Sequence, residues 1–419
     1  MAIKTAQKFK KTPAGEIPVD WGFTKGDTVF SPLKGKTPGD LIDEQKLGYL
    51  PYVSNDYLRE DRAMYAKPGP DTPLTTENDI LVLWDGSNAG EVFLAKPGIL
   101  SSTMALLDIN NKQTFDKKYI YYSLKAKETT LQRTTKGTGV PHVDGQLLSV
   151  LPFAIPPVKE QKKISEILSS VDVTINKTQK TIDQTQTLKK GLMQALFSRG
   201  LPGRHKRFRK TEIGEIPNDW KIVRMGTVLK DLSYGMSAKC SYKESKYPVL
   251  RIPNVISGKI NFNDLKYTDI DGAQAQQYKL IQNDVLLVRT NGNPNFVGRA
   301  AIVSKMKGDW LFASYLIRLR FLTENIHPVY GYYALNSPGT RKLLEKGIRT
   351  SAGNYNLNGP GIKSTPIALP SLDEQLAITS LIDTTENKVL CDVKYLAWLE
   401  HVKSSLMQVL LTGKVRVAL

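Results

Sequence analysis

The chain is written twice. Lys11-Thr12-Pro13-Ala14-Gly15-Glu16-Ile17-Pro18-Val19-Asp20-Trp21 returns as Lys210-Thr211-Glu212-Ile213-Gly214-Glu215-Ile216-Pro217-Asn218-Asp219-Trp220, with eight of eleven positions identical at an offset of 199. Asn78-Asp79-Ile80-Leu81-Val82 answers Asn283-Asp284-Val285-Leu286-Leu287 at 205, and Tyr121-Tyr122-Ser123-Leu124 answers Tyr332-Tyr333-Ala334-Leu335 at 211. Pro156-Pro157-Val158-Lys159-Glu160-Gln161 then matches Pro370-Ser371-Leu372-Asp373-Glu374-Gln375, and Leu192-Met193-Gln194 matches Leu406-Met407-Gln408, both at 214. An offset that grows and then stays fixed means that each copy has a part tolerant of insertions followed by a part of constant length. A solenoid needs three or more shorter units, so two domains, each followed by a fixed segment, are expected.

The fixed segments carry a heptad seam. Apolar or compatible residues fall at Ile164, Leu168, Val171, Ile175, Thr178, Ile182, Thr185, Lys189, Leu192 and Leu196, and 214 residues later at Ile378, Ile382, Thr385, Val389, Asp392, Leu396, Leu399, Lys403, Leu406 and Leu410. Steps of four and three predict a long helix in each copy, about 40 residues or about 60 Å. The first is rich in Thr and Gln and should depend on a partner helix. Ser371 and Glu374 suggest a capping box at the second start, and Gly200 and Gly413 mark the ends. Two equivalent helices can pair antiparallel and space the preceding domains along a rod, although heptads alone specify only pairing. Gly191 and Ser405 are small residues off the seam where another backbone could approach; a neutral surface position is at least as good an account of either.

In residues 22–150 and 221–363, short β-branched runs such as 79–84, 284–289 and 300–304 alternate with Gly, Pro and Asn turns, and each half has one Tyr-rich helix candidate. The expected fold class is α/β (mixed α+β): two mixed domains joined by two long antiparallel coiled-coil helices, with an internal two-fold repeat.

Charge narrows the partner. Lys and Arg number 58 against 40 Asp and Glu, a formal charge of +18, which points to a polyanion and best to nucleic acid. No run approaches the roughly 20 apolar residues of a spanning helix and the start lacks a signal-peptide core, so no membrane and a cytoplasmic location are expected. Cys240, Cys391 and four scattered histidines suggest neither a disulfide framework nor a metal site.

The loops combine Arg, Asn, Thr, Ser and Gly, residue types that meet phosphates and base edges. Two loops directly follow a strand, Trp84-Asp85-Gly86-Ser87-Asn88 and Arg289-Thr290-Asn291-Gly292-Asn293, and two follow the helix candidates, Arg133-Thr134-Thr135-Lys136-Gly137-Thr138-Gly139 and Arg349-Thr350-Ser351-Ala352-Gly353-Asn354. Candidate DNA contacts are therefore Ser87, Asn88, Arg133, Lys136, Thr138, Arg289, Asn291, Asn293, Arg349 and Asn354, the alternative for each being a polar turn. Phosphate-loop and dinucleotide motifs are missing. Asn293-Pro294-Asn295-Phe296 is only a weak match to an amino-methyltransferase motif, and His142 near Asp144 has no nucleophile, so no catalytic residue is assigned. The run 204–210 reads equally as a basic, solvated linker or as a segment that touches phosphates.

The duplicated order of variable domain, Pro-x-x-x-Glu-Gln and long helix, with the repeated Gly-Glu-Ile-Pro-x-Asp-Trp, resembles the specificity subunit of type I restriction-modification enzymes over nearly the whole chain. Lys159, where the second copy has Asp373, is a surface departure. The resemblance implies target-recognition domains at 1–155 and 211–369, spacer helices at 156–200 and 370–419, and a linker at 201–210. It implies that each domain reads half of a bipartite asymmetric site in double-stranded DNA. It further implies that two DNA methyltransferase subunits dock on the helices, for which Gln161, Gly191, Gln375 and Ser405 are the candidate contacts, and that two restriction and translocase subunits join them. S-adenosylmethionine, ATP and Mg would sit on those partners, with no cofactor in this chain. The alternatives are a specificity subunit of a system with fused methylase and nuclease, an orphan regulator, a self-sufficient methyltransferase or nuclease, and a basic scaffold.

Overall fold

Four-residue apolar runs build the centre of each repeat, and a computed structural model of the chain shows why they are apolar throughout rather than alternating. The structure describes residues 4–5, 8–137, 139–304, 306–351 and 353–418. It divides into two units, Met1–Lys180 with Val393–Leu419, and Thr181–Asp392. The helices used below are α1 (Lys117–Lys125), α2 (Val158–Arg199), α3 (Pro328–Asn336) and α4 (Leu372–Leu410). The strands are β1 (Phe30–Lys34), β2 (Ile80–Leu83), β3 (Val92–Leu94) and β4 (Met104–Ile109), then β5 (Leu229–Tyr234), β6 (Val285–Val288), β7 (Ala300–Ile302) and β8 (Leu316–Phe321).

In the first unit an antiparallel sheet runs β3-β2-β4-β1, and in the second an antiparallel sheet runs β7-β6-β8-β5, the same order on equivalent strands. Ile80 and Val82 point into a core with Tyr119, Ile120 and Tyr122 of α1, while Leu81 and Leu83 point into a second core with Val53, Leu100 and Met104. Val285 and Leu287 face the α3 tyrosines in the same way, and Leu286 and Val288 face Leu250, Val255 and Phe312. Both faces of these strands are covered, so every residue in them must be apolar. The second layer is a smaller sheet whose parallel pair, Leu50–Val53 with Gly98–Leu100, has its counterpart in Tyr247–Leu250 with Leu311–Phe312.

The repeated sequence motifs are halves of one clamp. A hairpin of Phe9–Thr12 and Gly15–Pro18 leads to Trp21, which is fully buried and donates from Nε1 to Glu160 Oε2 at 3.1 Å. Glu160 also accepts from Arg416 (2.6 and 2.8 Å), and Arg416 reaches Asp20 as well (2.8 and 2.9 Å). In the second unit Trp220 Nε1 donates to Glu374 Oε2 at 3.1 Å, and His205 takes the place of the arginine, bridging Glu374 (2.7 Å) and Asp219 (2.9 Å). In the 204–210 run the side chains of Arg204, Lys206, Arg207, Arg209 and Lys210 are exposed, as a solvated linker requires, while the His205 side chain is only 3% exposed and Arg209 bonds the Trp220 carbonyl (2.7 Å). One expectation is corrected here. Ser371 and Glu374 form no capping box, since the buried Glu374 carboxylate is taken by the indole and the imidazole. Gly200, at φ +71°, ends α2 where a Cβ would lie within 2.7 Å of His205 and Glu374.

The helices are 42 and 39 residues long, and all twenty predicted seam positions are buried or half-buried. Each unit holds half of each helix, and the halves run antiparallel: Lys403 pairs with Asp172 (2.6 Å) in the first unit and Lys189 with Glu386 in the second. These units cut across the linear division into domain, helix, linker, domain and helix, because the two halves of one helix bury their seams against different neighbours. The pairs also account for the polar seam positions Lys189 and Lys403, each neutralised by an acid at the position corresponding to the other's partner. Burial works against the Glu386 carboxylate, but Lys189 and Lys259 beside it hold its pKa below the ordinary value. A lowered folded pKa stabilises above the unfolded value of about 4.3 and loses that stabilisation as the pH falls through the lowered value. Glu386→Gln should therefore cost about 2 kcal/mol at neutral pH and lose less further stability on acidification than the wild type. Urea unfolding at both pH values checks this; equal acid losses in the two proteins would remove Glu386 from the account. Among the described residues no helix is long and apolar enough to cross a membrane.

Candidate nucleic-acid interfaces

The loops singled out in the sequence meet at the ends of β2 and β6. After β2, Trp84 O accepts from Val143 N (2.9 Å), Asp85 bridges His142 in antiparallel fashion, and His142 exchanges backbone bonds with Lys136 (2.8 and 2.9 Å). After β6, Arg289 O accepts from Leu357 N (2.8 Å), and a three-stranded ribbon forms from Thr290–Asn291, Asn354–Asn356 and Arg349–Ser351. Its register sets Thr290 and Arg349 on either side of Asn356, as Asp85 and Lys136 lie on either side of His142. The two units thus build the same ribbon, with Trp84 in the place of Arg289 and Lys136 in the place of Arg349.

The register puts Lys136, rather than Arg133 at the start of the same loop, in the place of Arg349. Arg133 closes the short helix Glu128–Arg133 and is exposed, whereas Lys136 lies in the ribbon and pairs with Asp144 (2.9 Å). Ser87 and Asn88 are exposed on the turn beyond Asp85. Thr138 lies outside the described residues. Asp144 also caps the helix Gly145–Val150, so His142 and Asp144 belong to a polar loop.

In the second ribbon Arg289 is held in place. Its guanidinium stacks 4.7 Å from the Tyr234 ring and reaches Ser314 O at 3.4 Å, while Tyr234 Oη accepts from Gly359 N at 2.8 Å. Asn291 Oδ1 accepts from Asn293 N (2.8 Å) and Asn293 Oδ1 from Asn295 N (3.0 Å). Both oxygens therefore shape the turn, which leaves the amide NH2 groups as the donors not used in it; this engagement of Asn293 also explains the weak methyltransferase match as a capped turn. Arg349 and Asn354 are exposed. Tyr234 and Tyr315, 39% and 59% exposed, border the ribbon and were not singled out from sequence, since a lone tyrosine at a strand end carries no local signal. Lys34, on the strand equivalent to that of Tyr234, pairs instead with Asp85 at 2.8 Å.

The helix candidates divide. Gln161 and Gln375 are fully buried, and the expectation that they face a partner is corrected. Gln161 accepts from Asp116 N (2.9 Å) and donates to Thr114 O and Pro156 O (3.0 and 2.9 Å). Gln375 accepts from His327 N (2.8 Å) and donates to Asn325 O and Pro370 O (3.2 and 3.0 Å). Each fixes the N-terminus of a tyrosine-rich helix, α1 or α3. Gly191 and Ser405 are exposed, and a Cβ at Gly191 would meet nothing within 4 Å.

The family model described as "Type I restriction modification DNA specificity domain" matches residues 18–185 and again 217–391. The chain is 36% identical over 421 residues to the type I restriction enzyme MjaVIII specificity subunit of Methanocaldococcus jannaschii, covering 100% of this chain and 98% of that one. It is 26% identical to the EcoKI specificity subunit of Escherichia coli K12, covering 88% and 83%. Its fold is similar to the crystal structure of a type I restriction-modification S subunit from M. genitalium, with a TM-score of 0.62 at 17% identity over 97% of this chain and 98% of that one. With the ribbon built twice and the specificity-domain match falling once on each repeat, the chain belongs to the type I restriction-modification DNA specificity family.

Proposed function

We propose that this chain is the DNA-recognition subunit of a multisubunit methyltransferase and endonuclease, itself carrying no catalytic group, and that its two domains each read one half of a bipartite asymmetric site. The observation that carries this reading is the ribbon present in both units: a rigid two-layer scaffold ending in exposed Lys136 and Arg349 at equivalent positions, with exposed Ser87, Asn88, Asn293 and Asn354 beside them. Function placed on loops above a rigid sheet is the common arrangement for recognition. Arg offers a bidentate match to guanine and the amide NH2 groups of Asn donate to base acceptors, while Lys136 and backbone amides suit phosphates.

The long helices set the separation of the half-sites. Their outer faces, at Gly191 and Ser405, dock two methyltransferase subunits, and two restriction and translocase subunits join the assembly. S-adenosylmethionine, ATP and Mg belong to those partners, and the complex works on DNA in the cytoplasm. An adenine to be methylated must leave the stack, so the reader holds the duplex while another subunit takes the base.

Single-molecule sequencing of adenine methylation tests this in cells with and without the gene. The expected result is a split motif, two short half-sites around a fixed gap, that disappears on deletion. Unchanged methylation in a strain whose partner methyltransferase is active would reject the proposal.

A further inference from the structure

The two recognition units share a fold but not a charge. Residues 1–155 carry 19 Lys and Arg against 18 Asp and Glu, whereas residues 211–369 carry 21 against 12 and residues 201–210 add five basic residues with no acid. The difference has a local focus. Gly35 and Gly235 occupy equivalent places at the ends of β1 and β5, where a Cβ would lie 2.1 Å and 2.2 Å from backbone oxygens of Ser101 and Ala313. From each a loop leaves directly beside the ribbon. Residues 36–49 hold Lys36 and Lys46 against Asp40, Asp43 and Glu44, while residues 236–247 hold Lys239, Lys243 and Lys246 against Glu244 alone.

The second loop is a fixed flap. Met236 N donates to Phe312 O (3.0 Å), Met236 O accepts from Ser314 N (2.8 Å), Ser241 and Tyr267 exchange backbone bonds (2.8 and 3.0 Å), and Thr268 Oγ1 donates to Lys239 O (3.1 Å). Tyr242, 65% exposed, carries the Lys266 ammonium 4.7 Å from its ring centre. Lys239 and Lys243 are exposed and have no ion pair among the described residues. The root of the flap adjoins Tyr234, on which Arg289 stacks.

We infer that the second domain is the electrostatic anchor of the chain: the flap at residues 236–247, through Lys239 and Lys243, holds the DNA phosphate backbone independently of sequence, and the near-neutral first domain adds base reading but little of this attraction. The inference rests on the reading of the chain as a DNA-recognition subunit. Counterion release gives it a quantitative signature, because each phosphate neutralised contributes about 0.9 to the slope of log K against log salt concentration.

The experiment measures binding of the full chain to duplex DNA of arbitrary sequence across a salt series, by fluorescence anisotropy. The double variant Lys239→Gln with Lys243→Gln should reduce the slope by about 1.8, and Lys36→Gln with Lys46→Gln should leave it unchanged. All four side chains are exposed, and thermal unfolding verifies that each variant folds. Equal slope losses in the two variants, or none in the first, overturn the anchor. So does an unchanged slope accompanied by loss of the methyltransferase subunits on co-purification, which assigns the flap to a protein surface. If the methylation motif depends on this gene but the slopes do not differ, the anchor alone is wrong. No DNA binding by the wild-type chain, together with methylation indifferent to the gene, removes the recognition reading itself.

Discussion

Glu160→Ala is expected to destabilise the first unit by about 3 to 5 kcal/mol, the range for removing one partner of a buried charge pair. The carboxylate is 1% exposed and takes three donors, one from Trp21 and two from Arg416. Its loss leaves the indole N–H of a fully buried Trp21 without an acceptor, at a cost of about 1 to 3 kcal/mol by itself. It also leaves Arg416 with only Asp20, which is half-exposed. Because Arg416 belongs to the short pairing of Lys4–Thr5 with Val415–Arg416, the end of the chain should detach before the sheet melts. Equilibrium urea unfolding followed by tryptophan fluorescence reads both effects. Glu160→Gln keeps an acceptor for the indole and should recover part of the loss. A Glu160→Ala protein within about 1 kcal/mol of the wild type would show that the clamp does not hold this unit together.

Arg289→Ala should weaken DNA binding by about 1 to 3 kcal/mol, roughly fivefold to 150-fold, and relax the requirement at one position of one half-site. The stacked Tyr234 ring and the Ser314 carbonyl already restrict the guanidinium, so less side-chain entropy is lost when it meets a base. Arg289→Lys separates two roles: an ammonium retains the attraction to phosphate but not the planar bidentate fork. A methylation motif that relaxes in both variants identifies a base contact. Affinity lost equally on all sequences in Arg289→Ala and restored in Arg289→Lys identifies a phosphate contact instead. The other half-site should be unaffected, since Trp84 occupies the equivalent place in the first ribbon.

Much of this protein was legible before any coordinates. Periodicity located both long helices to within a few residues and all of their seam, because a 3.5-residue repeat of apolar side chains has one stable outcome, burial against another helix. The self-similarity revealed the duplication, though not how the structural units share the long helices, and turn chemistry located the four loops. What the sequence could not do was align the loops: Arg133 and Arg349 open similar Arg-Thr strings, yet Lys136 shares the place of Arg349, because backbone register is set by hydrogen bonds to a third segment that lies at His142 or Asn356.

Nor could it separate side chains that face a partner from those that face inward. Gln161 and Gln375 stand on long helices in a repeated motif, and nothing local distinguishes an exposed glutamine from one whose amide satisfies three backbone groups. The same holds for Trp21 with Glu160 and Trp220 with Glu374, motifs 139 and 154 residues apart that complete a single hydrogen bond in each unit. The sequence alone determined elements, their order and their duplication, since these follow from local propensity and the spacing of apolar residues. Only the tertiary structure decided which distant polar groups satisfy one another, because that depends on which donors burial strips of water and which acceptors the fold then brings within reach.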